Sequence, residues 1–109
     1  MNMDGWAETY YKTEEDYING TNKVLPYVVN CESHERVGIL SKALRNAGFT
    51  YAPTMSGIPS QMTTFLVNMS FKKYTKCPYP VHYASVNDRV YTLEEFMEEV
   101  FNKTENEHE

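Results

Sequence analysis

Two pairs of cysteine and histidine residues contain side chains that commonly bind zinc. Cys31 is followed three positions later by His34, and Cys77 is followed five positions later by His82. Thiolate and imidazole groups suit a tetrahedral zinc site. However, the first pair lacks the usual paired-cysteine spacing, and a Pro-Tyr-Pro turn interrupts the second. We therefore predict reduced thiols, ordinary histidines and no bound metal, with a zinc site or a Cys31–Cys77 disulfide as the alternatives.

Cys31 also lies where a helix is expected to begin, close to His34, and such surroundings can activate a thiolate. Catalysis would need a group that orients the base and donors that stabilise an oxyanion, and the sequence has no motif for either. It also has no glycine-rich phosphate loop, HExxH motif or GxSxG motif. The sequence thus predicts a protein that is not an enzyme and has no cofactor.

The acidic residues concentrate at the two ends of the chain, whereas residues 20–91 hold eight of the ten lysines and arginines. The net charge is −5, and clustered charge of one sign steers association with the other. We expect a basic protein partner to bind an aromatic and acidic surface formed by Trp6, Tyr10, Tyr11, Met55, Glu94, Glu95, Glu98 and Glu99. The alternative is that these acids form an ordinary solvated surface.

A second candidate surface combines basic and aromatic residues. Lys72, Lys73 and Lys76 surround Tyr74 in the sequence. Proteins that bind single-stranded nucleic acids use such mixtures, because lysines contact phosphates while bases stack on aromatic rings. Three lysines in an acidic chain fall short of the basic surface typical of nucleic-acid-binding domains. Binding of a nucleic acid or nucleotide through these four residues is therefore the alternative function.

A core must position these residues, and its clearest elements are a strand at 24–31 followed by a helix. The strand is rich in valine, and Pro26, which cannot donate to a sheet, places its first half at an edge or before the paired part. Ser33 is expected to cap the helix, and Gly48 to end it in a left-handed conformation. A short strand at 49–51 follows.

The second half of the chain predicts further strands and a final helix. Strands are expected at 63–71, 81–86 and 89–91. Residues 72–80 are expected to form a turn, and Asn87-Asp88 to join the last two strands as a hairpin. Thr92 and Glu95 match a capping box at the start of a helix with an apolar stripe.

The predicted architecture is a small α+β domain, with three to five strands in a mostly antiparallel sheet and two helices packed on one face. A length of 109 residues suits one domain. We assign residues 1–22 to an aromatic and acidic arm or short helix, 23–103 to the domain and 104–109 to a disordered tail. No apolar stretch suits a membrane span, and the N-terminus lacks a signal-peptide pattern, so a cytoplasmic location is expected.

Two stretches resemble small proteins encoded by bacteriophages and prophages. They are the strand–cap–helix segment that ends in Ala47-Gly48-Phe49 and the YTLEEF segment that begins at Tyr91. Many phage proteins of this size and acidity act as anti-CRISPR or other anti-defence inhibitors by binding a host protein. The resemblance therefore implies a non-enzymatic inhibitor of a host defence protein in the host cytoplasm, and it leaves a monomer or a homodimer open.

Overall fold

The computed structural model describes residues 5–53, 62–77 and 85–103. Within these ranges the helices are α1 (Gly5–Tyr10), α2 (Glu14–Asn19), α3 (His34–Asn46) and α4 (Leu93–Phe96). The strands are β1 (Tyr27–Asn30), β2 (Thr50–Tyr51), β3 (Thr64–Asn68), β4 (Lys73–Cys77) and β5 (Val90–Thr92). α4 continues directly into a π-helical segment at Met97–Phe101, and the two together are called the C-terminal helix below.

The five strands form one sheet in the order β2-β4-β3-β1-β5. β3 pairs antiparallel with β1 and β4, whereas β5 pairs parallel with β1 and β2 pairs parallel with β4. The α+β class is confirmed, but the sheet is mixed and the prediction of a mostly antiparallel one was wrong. The reason is that both outer strands pair with partners that are not their neighbours in sequence, which local patterns do not reveal.

β4 occupies part of the segment for which a turn was expected. Its residues Tyr74, Thr75 and Cys77 are buried, whereas Lys73 and Lys76 are partly exposed. The lysines hide the strand in the sequence because their long stems can lie along the sheet while their charges remain in water. The sheet thus gains a strand between β2 and β3 that composition alone did not predict.

Some of the other local predictions can be compared with the structure, and others concern residues outside the described ranges. Asn87 and Asp88 have φ values of 63° and 50°, as a tight turn requires. They lie in a 3-10 turn at Val86–Asp88. Most of the strand expected at 81–86 lies outside the described residues, as does the predicted tail at 104–109.

The predicted helix caps are confirmed. The Ser33 hydroxyl accepts the backbone N–H of Arg36 at 3.3 Å, and Gly48 follows α3 with a φ of 90°. At the start of α4, the Thr92 hydroxyl accepts the Glu95 N–H at 3.1 Å, and the Glu95 carboxylate accepts the Thr92 N–H at 2.9 Å. These side chains satisfy backbone donors that a helix start leaves without partners.

Side chains from the two faces of the sheet enter two separate hydrophobic clusters. Because neighbouring residues of a strand point to opposite faces, Val29 lies in the larger cluster and Val28 in the smaller one. The larger cluster includes Val37, Leu40 and Leu44 of α3 and Leu93, Phe96, Val100 and Phe101 of the C-terminal helix. The smaller cluster includes Tyr10 of α1. The central sheet therefore contributes to apolar cores on both of its faces.

Polar contacts also fix α1 to the sheet. The Gly5 N–H donates to the Pro53 carbonyl at 3.1 Å. The buried amide of Asn68 donates to the Thr9 carbonyl at 2.7 Å and accepts the Phe71 N–H at 2.8 Å. One side chain of β3 thus links α1 to the turn between β3 and β4. Residues 5–10 accordingly form a packed layer of the fold.

Gly5 allows this close approach, and a larger residue should weaken it. A Cβ atom at Gly5 would overlap the Ala52 carbonyl oxygen and lie 2.6 Å from the Thr75 hydroxyl. We expect Gly5→Ala to lower the free energy of unfolding by about 1–3 kcal/mol, the usual cost of overpacking, in urea denaturation. The matched control is Gly38→Ala, since a Cβ there meets nothing within 4 Å. Equal stability of Gly5→Ala and the wild type would contradict the close packing.

Candidate functional site

A groove lies between α3 and the part of the sheet formed by β2 and β4. Its volume is about 510 Å³, within the range of about 300–1,000 Å³ typical of small-molecule sites. The described residues that line it are His34, Val37, Gly38, Ser41, Arg45, Tyr51, Tyr74 and Lys76. The combination of aromatic rings with basic and hydroxyl groups suits a polar ligand that has an apolar part.

α3 contributes to the core and to the groove with adjacent stripes of residues. Leu40 and Leu44 are fully buried in the core, and Ser41 and Arg45, each one position later, line the groove. His34 and Arg45 lie three helical turns apart, about 16 Å along the axis. The regular helix therefore spreads its polar groups along the length of the groove while its packed stripe holds them in place.

β4 divides the predicted basic segment between the two faces of the sheet. Tyr74 and Lys76 line the groove, whereas the ammonium group of Lys73 lies 3.7 Å from the Glu8 carboxylate. β4 runs parallel to β1, because both are antiparallel to β3. Lys76 therefore lies towards the edge of the sheet at which β1 ends and α3 begins with His34. This arrangement places two basic side chains near one end of the groove.

Two tyrosines occupy the other end of the groove. The rings of Tyr51 and Tyr74 are 5.4 Å apart, and the ring of Phe65 lies 5.9 Å from that of Tyr74. Burial raises the pKa of both hydroxyls, and the Arg45 guanidinium partly opposes this for Tyr74. Both hydroxyls are therefore neutral at physiological pH, and the rings add apolar surface without negative charge.

The charged groups among the described lining residues of the groove are all basic. His34, Arg45 and Lys76 provide three basic side chains, and none of the eight lining residues is a carboxylate. Basic groups around a concave surface attract anions, since the low-dielectric walls focus their field. Guanidinium and ammonium groups form charge-assisted hydrogen bonds with phosphate or carboxylate oxygens. The groove is thus suited to an anionic ligand.

The acidic face of the C-terminal helix is partly balanced by arginines. Arg36 of α3 lies 2.6 Å from the Glu94 carboxylate. Arg89 lies 2.7 Å from the Glu95 carboxylate and 3.0 Å from the Glu99 carboxylate. Three of the four acids predicted to bind a partner therefore have an intramolecular counter-charge, which reduces the field of this surface. Sequence spacing did not predict these pairs, because their arginines precede the helix.

The structure places the remaining predicted partner-binding residues in different surroundings. Glu98 is exposed, whereas Tyr10 is buried and only 3% of its surface is accessible. Trp6 and Tyr11 are partly buried and pack against the smaller cluster, with the rings of Trp6 and Tyr10 6.0 Å apart. Met55 lies outside the described residues. Much of the N-terminal aromatic surface is therefore used within the fold.

The two cysteines are free and buried, and they lie in different hydrophobic clusters. Burial raises the pKa of the Cys31 thiol to about 12, although the Arg36 charge opposes the shift. Burial likewise raises the pKa of the Cys77 thiol to about 12. Neither thiol is therefore the activated nucleophile that a helix start suggested for Cys31.

The described residues offer no cluster for a metal ion. Within 5–53, 62–77 and 85–103, no group of three histidine, cysteine, aspartate or glutamate side chains is close enough to hold one. His82, the fourth residue of the possible zinc set, lies outside these ranges. Cys31 and Cys77 are on opposite faces of the sheet, so they do not form two adjacent ligands.

Sequence patterns identified only part of the groove. Ser41 and Arg45 lie on the polar side of a helix that was assigned to the core alone, and Tyr51 lies in a strand of two residues. Only the order of strands in the sheet brings them into one groove with Lys76. The one local signal was Gly38, because a glycine inside a helix lowers helix stability and calls for another explanation.

Comparison with known proteins gives no homologue from which to transfer a function. No family model, no curated protein and no solved structure matches the chain. Across the described ranges, no helix has both the length and the apolar character needed to cross a membrane. Functional inference therefore rests on the chemistry of the groove.

The two buried thiols predict a loss of stability at alkaline pH. An unperturbed cysteine thiol has a pKa of 9.0, whereas burial raises the pKa of both folded thiols to about 12. The unfolded chain therefore releases these protons first, and its free energy falls relative to the folded state as the pH rises above 9. The limiting slope is about 1.4 kcal/mol per pH unit for each thiol.

Urea denaturation between pH 8 and pH 10 in the presence of a reductant would measure this slope. The control is the double variant Cys31→Ala/Cys77→Ala, which should lose less stability over the same interval. Tyrosines with raised pKa values, Tyr27, Tyr51 and Tyr74, contribute equally to both proteins. The same alkaline decline in both would show that the thiols are not desolvated.

Proposed function

We propose that this protein is a non-enzymatic binding protein whose α3–β4 groove takes a phosphate-bearing ligand, a nucleotide or a nucleic acid. The observation that carries the proposal is that His34, Arg45 and Lys76 line one groove whose described lining residues include no carboxylate. Phosphate oxygens are strong acceptors for arginine and lysine. The aromatic rings beside these groups suit the bases or sugars that accompany phosphate.

The proposed site overlaps only in part with the nucleic-acid surface predicted from the sequence. Of the four residues 72, 73, 74 and 76, the groove contains Tyr74 and Lys76. Lys72 is exposed in the turn before β4, and Lys73 is on the opposite face beside Glu8. The groove adds Arg45 of α3 in their place. Binding should therefore depend on α3 as strongly as on the lysine-rich segment.

The net charge of the chain bears on how such a ligand would bind. At −5, the protein as a whole repels a polyanion, so attraction must come from the local field of the groove. Charges separated by more than about 8 Å are largely screened at physiological ionic strength. The groove cations therefore act over short distances, and this favours a small ligand or a short segment over a long duplex.

Removal of single groove cations tests this function. We expect Arg45→Ala and Lys76→Ala each to weaken the binding of nucleoside 5′-monophosphates or a short single-stranded oligonucleotide about tenfold or more, since hydrogen bonds to charged groups contribute about 1.5–3 kcal/mol. Isothermal titration calorimetry at low and moderate salt would measure the affinities, which should fall as salt rises.

The matched controls for this test are Lys42→Ala and Lys73→Ala. Lys42 is exposed on the same helix but does not line the groove, and Lys73 is on the same strand with its charge on the other face. Both variants should bind like the wild type. Equal losses in the controls and the groove variants would contradict the proposed site, as would a wild type that binds neither ligand.

A second candidate is a phage-type inhibitor that binds a host defence protein, such as a CRISPR-associated protein, through its acidic surface. The favouring observation is that the ion-paired carboxylates remain accessible, with the Glu94 side chain 58% exposed and the Glu99 side chain 49% exposed. Glu98 between them is also exposed. A basic partner could therefore still contact this helix, although the arginines weaken its field.

Charge reversal separates this second candidate from the first. We expect Glu98→Lys to slow association with a basic CRISPR-associated effector complex, because charges at an interface rim mainly change the association rate. Biolayer interferometry would measure the rate, with Glu35→Lys at the exposed start of α3 as the control. An unchanged rate for Glu98→Lys would count against the acidic surface.

A further inference from the structure

We propose that the ligand of the groove is a single nucleotide, with its base against Tyr51 and Arg45 and its phosphate at His34 and Lys76. This inference rests on the proposed function and narrows it to one class of ligand. It follows from three independent features of the groove: the separation of its aromatic and basic ends, the glycine in the middle of its helical wall, and its volume.

The two ends of the groove differ in chemistry. Tyr51 is half-buried, lies on an outer strand, and has its ring next to that of Tyr74. The charge of Arg45 acts on the Tyr74 hydroxyl, so the guanidinium belongs to the same end. Nucleic-acid bases stack on tyrosine rings and on guanidinium planes. This end can therefore hold a base between an aromatic and a planar cationic group.

At the opposite end, the described lining residues are basic and not aromatic. Lys76 lies two residues beyond Tyr74 on the same face of β4, about 7 Å further along the strand. His34 begins α3 at that edge of the sheet. Ser41 adds a hydroxyl between the ends, where a sugar would lie. The order of aromatic, hydroxyl and basic groups along the groove thus matches base, sugar and phosphate.

Gly38 supplies the second feature. It is the fifth residue of a helix of 13, a place where glycine costs helix stability relative to alanine. Packing does not require it, because a Cβ at this position meets nothing within 4 Å. Its backbone lines the groove, so the missing side chain leaves space for a ligand to approach the helix. Access for a ligand therefore explains the glycine at position 38, whereas the stability of the fold does not.

The volume supplies the third feature. About 510 Å³ falls within the range of sites that enclose one small molecule. Proteins that bind single strands without sequence preference instead extend a basic track over several nucleotides. The three basic residues of the groove lie within one concavity, and Lys73 is on the other face of the sheet. The groove therefore fits one nucleotide better than a strand.

Calorimetric titration with related compounds tests the inference. The probes are the four common nucleoside 5′-monophosphates, ribose 5-phosphate, the matching nucleosides and a short oligonucleotide. We expect at least one monophosphate to bind tenfold or more tightly than ribose 5-phosphate and than its own nucleoside. The oligonucleotide should bind no more tightly than the monophosphate, since only one nucleotide enters the groove.

Variants then assign the two ends of the groove. Tyr51→Leu should remove most of the preference for the monophosphate over ribose 5-phosphate, whereas Tyr51→Phe should retain it. Lys76→Ala should weaken both phosphates and leave the nucleoside unchanged. Gly38→Leu should weaken monophosphate binding at least tenfold without lowering the melting temperature, because leucine favours the helix but fills the groove.

The possible failures are distinguishable. If ribose 5-phosphate binds as tightly as every monophosphate and Lys76→Ala weakens both, the phosphate site stands and the nucleotide assignment is wrong. If the oligonucleotide binds far more tightly than any monophosphate, the ligand is a strand and the nucleotide assignment is also wrong. If no phosphate compound binds, the proposed function itself fails. Unchanged nucleotide binding in Gly38→Leu would overturn the role of Gly38.

Discussion

The pairing of β3 on both sides is the constraint on which the rest of the structure depends. It forms antiparallel ladders with β1 and β4, and all five of its residues are buried. A strand in this position must satisfy its backbone within the sheet and fill apolar surroundings on both faces. Because β1 leads into α3 and β4 carries the groove lysine, β3 sets the distance between the two walls of the groove.

The groove forms because α3 packs on the sheet with only one stripe of its residues. A helix that packs with one stripe leaves the neighbouring stripe at the border of the contact, where it is accessible but still held by the core. Leu40 and Leu44 provide the packing, so Ser41 and Arg45 have little freedom in their backbone position. Groups held on helices and strands are positioned more accurately than groups on loops, and every described lining residue is in α3, β2 or β4.

The sequence predicted the parts of the fold that local chemistry determines. Ser33, Gly48 and Thr92 marked helix boundaries correctly because caps act through contacts within a few residues. β1 begins at Tyr27, directly after Pro26, as the missing proline donor requires. The α3 stripe was equally readable, since Val37, Leu40 and Leu44 follow the helical period.

The parts that remained hidden depend on distant residues. The parallel partners of β2 and β5 are chosen by tertiary packing, and a two-residue strand such as Thr50–Tyr51 carries almost no local signal. For the same reason the groove was missed, because only the order of strands brings the distant β4 beside β2 and α3. The ion pairs of Arg36 and Arg89 with acids of the C-terminal helix were not predicted, because both arginines lie outside this helix in the sequence. The pattern of acidic residues along the sequence therefore overstated the negative potential of this surface.

The shortness of the outer strands has a consequence for how copies of this chain meet. β2 has two residues and β5 has three, so each open edge offers few backbone groups to another strand. Arg89, directly before β5, lies over the Tyr91 ring at 4.0 Å and bonds to the C-terminal helix, which places a charged group beside that edge. Short and charged edges are common protections against edge-to-edge aggregation. Strand addition at these edges is therefore disfavoured, and contacts between copies would rely on side-chain surfaces instead.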